Sequence, residues 1–374
     1  MLRLEHITSI VEFETLREEW DAVLRKSGQY SPFLTHGWFR CCLIGNSDHK
    51  RLSILVIRDE TRRVVGIVPL RYYEGSVREI PARMLGFVSC PDAPFVDVII
   101  ERGMEEEVFV TMLRYLYNER GNTWEMLVMG QWSNDSRNRK IFEELLQRQS
   151  RSFFVESVSQ TPYIPIQGSW EDFLQSRSVR FRKTRRNIIN RFNKLRNVEV
   201  ICHRQDANGD VLNQILAISE KSWKHGEGIA ISSREETKQF FSALTAVAGH
   251  EGWLLAWLLR IDGVPVAMEY DLAHERKVYA LRADFNEDYK ECSPGAYLEY
   301  NIIKHCFESG HVEYNSGPGA KAYKLQWTED LRENCVVNVC NSTLKGRMIW
   351  GVQGKVVPFL KRIRDFTEKA SLTK

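Results

Sequence analysis

Four stretches of the chain carry residue types that could do chemistry. Between Ser176 and Val198 stand nine Lys or Arg residues, among them Arg177, Arg182, Arg185 and Arg186, and no acidic one. Guanidinium forks match phosphate oxygens, so such a run suits an anionic ligand. Phe181, Ile188, Phe192 and Leu195 recur there at near-helical spacing. They would anchor one face and leave the guanidinium groups to project outward, toward an anion or simply toward water. The second stretch is Ser293-Pro294-Gly295-Ala296, after a strand predicted over Lys277 to Phe285. Serine, proline and glycine in that order fit a helix start, whose free N–H groups and dipole bind a pyrophosphate well; ordinary capping explains the same residues.

The third stretch, Asn315 to Trp327, joins a predicted strand to a short helix through Gly317-Pro318-Gly319. Here Lys324 could stabilise a developing oxyanion and Tyr323 could protonate a leaving group. A surface lysine and a core tyrosine are the alternative. The fourth comprises two carboxylates, Glu269 in Ala267-Met268-Glu269-Tyr270-Asp271 and Asp284 after Arg282. Either could take a proton from an attacking amine. Strand alternation puts Glu269 with Asp271, and Arg282 with Asp284, so internal ion pairing accounts for them equally well.

Several other chemistries are excluded by pattern. There is no G-x-S-x-G elbow, no H-E-x-x-H and no G-x-x-x-x-G-K-[ST] loop. The eight cysteines form no CxxC pair and no His lies at zinc-ligand spacing, so no metal site is expected and the thiols read as reduced and packed. The 52 basic and 49 acidic residues nearly cancel, giving no global reason to expect nucleic acid or a membrane surface as partner. Glu5, Glu12, Glu14 and Glu18 interrupt the first twenty residues, and the longest apolar run, Trp253 to Leu259, is only of strand length. No secretory signal or spanning helix is expected, and the reading is a cytoplasmic protein.

The elements that must position these residues come twice. Arg51 to Glu74 and Gly252 to Ala273 each read strand, polar turn, strand, the second through Ile261-Asp262-Gly263. An amphipathic helix and then a strand follow each hairpin: Glu105 to Arg120 and Trp124 to Met129 in the first half, Gly295 to Ser309 and His311 to Tyr314 in the second. A hairpin followed by a helical crossover implies a mixed sheet, so the chain reads as two three-layer α/β units. The boundary is expected near Gly168, before one long helical run from Trp170 to Asn197, giving units 1–168 and 169–344 and a closing helical segment 345–374.

On these residues the chain resembles the GNAT group that includes the CelD (cellulose-biosynthesis) acetyltransferases and is related to the FemAB peptidyltransferases. The likeness rests on the hairpin Trp253 to Leu272, the Ser293-Pro294-Gly295 helix start, the Tyr314-Asn315-Ser316-Gly317 strand end, and Tyr323-Lys324 with Trp327. It implies two tandem GNAT-like units, each a mixed central sheet flanked by helices, and acyl transfer to an amine or hydroxyl. The donor it implies is acyl-CoA, a co-substrate and not a tightly bound cofactor. Catalytic work is then expected of Lys324 and Tyr323, with Glu269 or Asp284 as physically argued bases, and donor binding of Ser293, Gly295, Ala296, Arg182, Arg185 and Arg186. Asn315 stands where the family commonly has Asp or Gly. The acceptor that this likeness leads one to expect is a small molecule or a cell-envelope or polysaccharide precursor. Two other functions fit: a FemAB-like transferase using aminoacyl-tRNA, for which nucleic acid is a partner, and a non-catalytic anion-binding scaffold.

Overall fold

The computed structural model describes residues 2–45, 51–90, 92–206 and 208–356. Thirteen strands join one sheet: β1 (Arg3–Ile7), β2 (Leu52–Arg58), β3 (Val64–Val77), β4 (Ile80–Phe87), β5 (Ile99–Ile100), β6 (Met126–Ser133), β7 (Phe153–Pro165), β8 (Val198–His203), β9 (Leu254–Ile261), β10 (Val264–His274), β11 (Lys277–Phe285), β12 (Glu313–Asn315) and β13 (Leu331–Cys340). Their spatial order is β1-β2-β3-β4-β6-β13-β7-β12-β11-β10-β9-β8, with β5 beside β3.

That order repeats one pattern. In the first half β1 to β4 pair antiparallel in sequence, and β6 joins β4 in parallel. In the second half β8 to β11 do the same, and β12 joins β11 in parallel. Both expected hairpins are present as β2–β3 and β9–β10, the latter turning through Asp262 and Gly263, both at positive φ. Parallel neighbours need a crossover, supplied by the helices Glu105–Arg114 and Pro294–Glu308.

The halves are not closed on themselves. β7 comes early in the chain yet pairs with β12 of the second half, while β13 comes late and pairs with β6 of the first. The two then pair with each other from Leu331 opposite Pro162 to Val339 opposite Phe153. Arg332 on β13 reaches across β7, its guanidinium 4.0 Å from the Tyr163 ring, to hold Glu313 of β12 with two hydrogen bonds of 2.5 and 2.6 Å. Three strands drawn from three parts of the chain are thereby tied together.

β2 and β9 are almost wholly buried, which explains their unbroken apolar runs. One hydrophobic core spans both halves, taking in both faces of the first-half sheet and one face of the second, and across the join Trp38 meets Phe240 at 5.5 Å and Phe33 meets Tyr279 at 5.0 Å between ring centres. A second core, with Phe181, Phe192, Leu298, Ile302 and Trp327, covers the other face of the second half.

The run from Trp170 to Asn197 is not one helix. It divides into Trp170–Ser176 and Val179–Phe192 because Arg177 is extended and Ser178 caps the second helix, its hydroxyl accepting from the Phe181 N–H. At the end of the described chain, helix Leu344–Trp350 continues as a wider turn over Gly351–Val356; the remainder of the expected closing segment lies outside the described residues. No described helix is long and apolar enough to cross a membrane.

The crossed strands make a testable demand. Residues 169–374 produced without the first 168 lack β7, so the β12 and β13 edges lose their pairing. This fragment is expected to show no cooperative thermal transition alone and to regain one when residues 1–168 are supplied separately. A cooperative melt of the fragment by itself would contradict the account.

Candidate active site

The parallel pairing of β11 with β12 lasts for three residues and ends at Tyr279 opposite Asn315. Beyond that point β11 stays with β10, as Arg282 opposite Tyr270 and Asp284 opposite Met268. The chain after β12 stays with β7: the Ser316 and Gly319 N–H groups donate to Pro162 O and Gln160 O, each at 3.0 Å. The edges therefore part. Gly317 sits at the fork with φ of 75°, held by a 3.0 Å hydrogen bond from its N–H to Asn315 Oδ1. A Cβ there would collide with the Ala280 carbonyl oxygen, so glycine is required on two counts.

The fork opens into a cavity of about 230 Å³, walled by Ala280 to Ala283 on one side, Ser316 to Pro318 on the other, and by Glu269, Glu299, Tyr314, Lys321, Tyr323 and Lys324. Lys324 lies on the short helix Ala322–Leu325 and is 7% exposed. Its ammonium donates to Gly317 O at 3.1 Å and Pro318 O at 2.9 Å. Two of three protons are thus committed and one remains for a ligand. Burial brings its pKa down to about 8, although the Glu269 carboxylate pulls the other way. Tyr323 beside it is half-exposed, with its ring centre 6.0 Å from the Lys324 nitrogen. Burial and then the Glu299 and Glu269 charges raise its pKa, so it stays protonated and able to donate.

Three carboxyl groups meet below the lysine. Glu269 accepts a hydrogen bond from the buried Tyr314 hydroxyl. Asp271 shares its face of β10 and is fully buried, with neither oxygen in a well-formed hydrogen bond, although Glu269 and the Trp257 indole lie close. Burial, followed by the charge of Glu269, drives the Asp271 pKa far up, so this residue holds its proton. Burial also raises Glu269. Glu299 comes from the helix Pro294–Glu308, and burial followed by the Glu269 charge lifts it to about 7.

Opposite Glu299 lies Arg185, which corrects an expectation. It does not project outward with Arg182 and Arg186; it is 5% exposed, with its guanidinium 4.5 Å from the Trp327 ring and 4.9 Å from that of Phe181. The reason is periodicity: Arg185 is four residues after Phe181 and three before Ile188, on the buried stripe. Arg182 makes a local bond to Gln175, and Arg186 is exposed; neither lines the cavity.

Asp284 stands outside the cavity wall. Its carboxylate pairs with Lys224 at 2.6 Å and accepts from the Ser219 hydroxyl at 2.8 Å, while Arg282 turns instead to Asp92 of the first half, at 3.5 Å. Both strand charges are thus paired, but with partners outside their own strand. Ser293 occupies the N-cap position with φ of 61°, and its hydroxyl caps nothing. The helix start lies beside the basic helix: Arg191 donates to Glu291 O at 2.6 Å and Phe192 stacks on Tyr297 at 3.9 Å. Two separate anion-binding candidates in the sequence are neighbours in space. Ala296 precedes Glu299 by three residues, roughly 4.5 Å along the helix axis.

The structure therefore brings Glu269, Tyr323 and Lys324 to one cavity, with Ser293, Gly295 and Ala296 on the helix that delivers Glu299. Sequence reasoning missed Glu299 and Tyr314. The signal for Glu299 was present, since it precedes buried Ile302 and Ile303 by three and four residues and so falls on the inward stripe.

Residues 181–325, which hold every cavity residue from the second half, match the family model described as an acetyltransferase (GNAT) domain. Among curated proteins, none matches the chain by sequence. Solved structures share its fold: FemX, at TM-score 0.61 and 12% identity over 93% of this chain and 100% of that one; the C-terminal domain (DUF2156) of a putative lysylphosphatidylglycerol synthetase from Agrobacterium fabrum, at 0.55 and 13% over 90% and 95%; and L-PGS from Bacillus licheniformis, at 0.53 and 10% over 89% and 95%. The expected GNAT fold holds, and it is a fold shared with FemX.

The raised Glu299 has a definite consequence for stability. A folded pKa near 7 against an ordinary 4.5 means the native state binds more protons than the unfolded one between those values. Stability is then fully present below about pH 4.5 and is lost as pH rises toward 7. Thermal melts of Glu299→Gln should therefore lack a decline, on the order of 1–3 kcal/mol, that the unaltered protein shows across this window. Parallel curves for the two proteins would refute the assignment.

Proposed function

We propose that this chain, which carries an acetyltransferase (GNAT) domain on a FemX-like fold, transfers an acyl group from acyl-CoA to an amine or hydroxyl. The observation that carries the reading is that a buried acid near 7 and a buried lysine near 8 line one cavity at the strand fork. General acid–base groups work best with pKa values close to the operating pH.

In this reading the acceptor's nucleophilic atom sits against Glu299, which takes its proton as the bond to the thioester carbon forms. Negative charge gathers on the former carbonyl oxygen, where the uncommitted Lys324 N–H and the partnerless buried hydroxyl of Ser316 can donate. Collapse of the intermediate breaks the carbon–sulfur bond, and Tyr323 supplies the proton that the thiolate needs. Glu269, bonded to Tyr314, and protonated Asp271 set the field around Glu299 and Lys324. The donor's phosphates are assigned to the helix start at Ser293, Gly295 and Ala296 and to the neighbouring basic helix, with Arg182 and Arg186 on its exposed side. Arg185 is reassigned to balancing Glu299.

The acceptor class, a small molecule or a cell-envelope or polysaccharide precursor, follows from the CelD-like resemblance. A second reading, transfer from aminoacyl-tRNA, is favoured by the FemX-like fold together with the exposed basic helix. In that case ribonuclease would abolish activity and binding would fall steeply with salt.

Calorimetric titration with acetyl-CoA and with a long-chain acyl-CoA tests the donor. Binding of either is expected, weakened when Arg182 and Arg186 are both changed to Ala. No binding of either rejects acyl-CoA and moves the proposal to the tRNA donor. With an acceptor in hand, Glu299→Gln and Lys324→Met should each lower kcat by about 100-fold with little change in donor affinity.

A further inference from the structure

A second cavity, of about 480 Å³, lies against the first and shares Asp92, Ile229 and Arg282 with it. It sits between the halves. One wall comes from the first half, with Cys42, Arg71 and Cys90, and the other from the second, with Ala230, Arg234 and Phe240. Cys42, Cys90, Ala230 and Phe240 are all buried, so the body of this cavity is apolar.

Its charges are not balanced. Arg71 projects from β3 and has no ion pair or hydrogen-bond partner among the described residues; its Nε is buried and bare, and the guanidinium has only the Tyr73 ring, 5.7 Å away. A half-buried guanidinium without a counter-charge is costly to maintain unless something else completes it. At the far rim, exposed Arg234 precedes the 16-residue helix Glu235–His250, and like Arg71 its side chain has no ion pair or hydrogen bond among the described residues. Two carboxylates also line it. Asp92 is taken by Arg282, and Glu236 is exposed.

We infer that this cavity binds the acceptor, and that the acceptor carries an anionic end, a carboxylate or a phosphate, separated by an apolar segment from its amine or hydroxyl. Arg71 and Arg234 would hold the anion, Phe240 and Ala230 would cover the apolar segment, and the nucleophile would pass the Asp92–Arg282 pair to reach Glu299. The direction of entry rests on the acyl-transfer reading above; the anion site itself does not.

The test is calorimetric titration of the full chain, without any acyl donor, with 6-aminohexanoate, 6-aminohexyl phosphate and neutral 6-aminohexanamide. The anions should bind, and the amide should bind about tenfold more weakly or worse. Arg71→Gln should weaken the anions by about tenfold and leave the amide as it was. Arg234→Ala, at an exposed position, should weaken the anions in the same sense even if Arg71→Gln folds poorly. Preference between the two anions identifies the acceptor's charged group. Equal binding of amide and anions, indifference to both arginine changes, or no binding of any probe overturns the inference. Titration with acyl-CoA on the same samples separates the outcomes, since loss of donor binding alone sinks only the acyl-CoA reading.

Discussion

The site exists because two neighbouring strands stop sharing hydrogen bonds. β11 and β12 are paired only as far as Tyr279 and Asn315, and each then follows its other neighbour, β10 on one side and β7 on the other. An unpaired strand edge in a protein interior is normally unfavourable, because backbone polar groups lose water without gaining partners. Here the exposed edge becomes one wall of a cavity, and the carbonyls of Gly317 and Pro318 are satisfied by Lys324. The lysine is consequently both the group that stabilises the fork and one that faces its contents.

Charge burial follows from that geometry. Glu269, Asp271 and Glu299 are all removed from water, and three ionised carboxylates could not coexist there. The cluster is tolerable because Asp271 keeps its proton, Tyr314 bonds Glu269, and Lys324 and Arg185 supply positive charge nearby. The same compromise leaves Glu299 and Lys324 close to neutrality. A strictly paired carboxylate such as Asp284, locked to Lys224 and Ser219, has no such freedom.

Much of this was legible in the residues. The twin hairpins, their crossover helices and a short strand running to Tyr314 follow from periodicity and turn chemistry, which act over a few residues. Lys324, Tyr323 and Glu269 could be singled out because they flank a glycine-rich turn or break an apolar strand. The inward turn of Arg185 was also written in its spacing from Phe181 and Ile188, but the density of positive charge around it pointed outward. What could not be read was non-local. Nothing in Phe153–Pro165 announces β12 as its partner, and nothing near Asp92 announces Arg282. Such pairings depend on which surfaces remain once local elements have formed.

The exchange of β7 and β13 between the halves also sets an order of events on the ribosome. Strand β6 emerges with its neighbour β4 already made, yet the strand that pairs with its other edge is nearly two hundred residues downstream. Until that strand appears, β6 carries an open, largely apolar edge, and β7 lacks the strand that joins it to β6. Pairings of such sequence separation are slow to close, and exposed edges invite association with other chains. The growing chain is thus open to association from the emergence of β6 until β13 has been made.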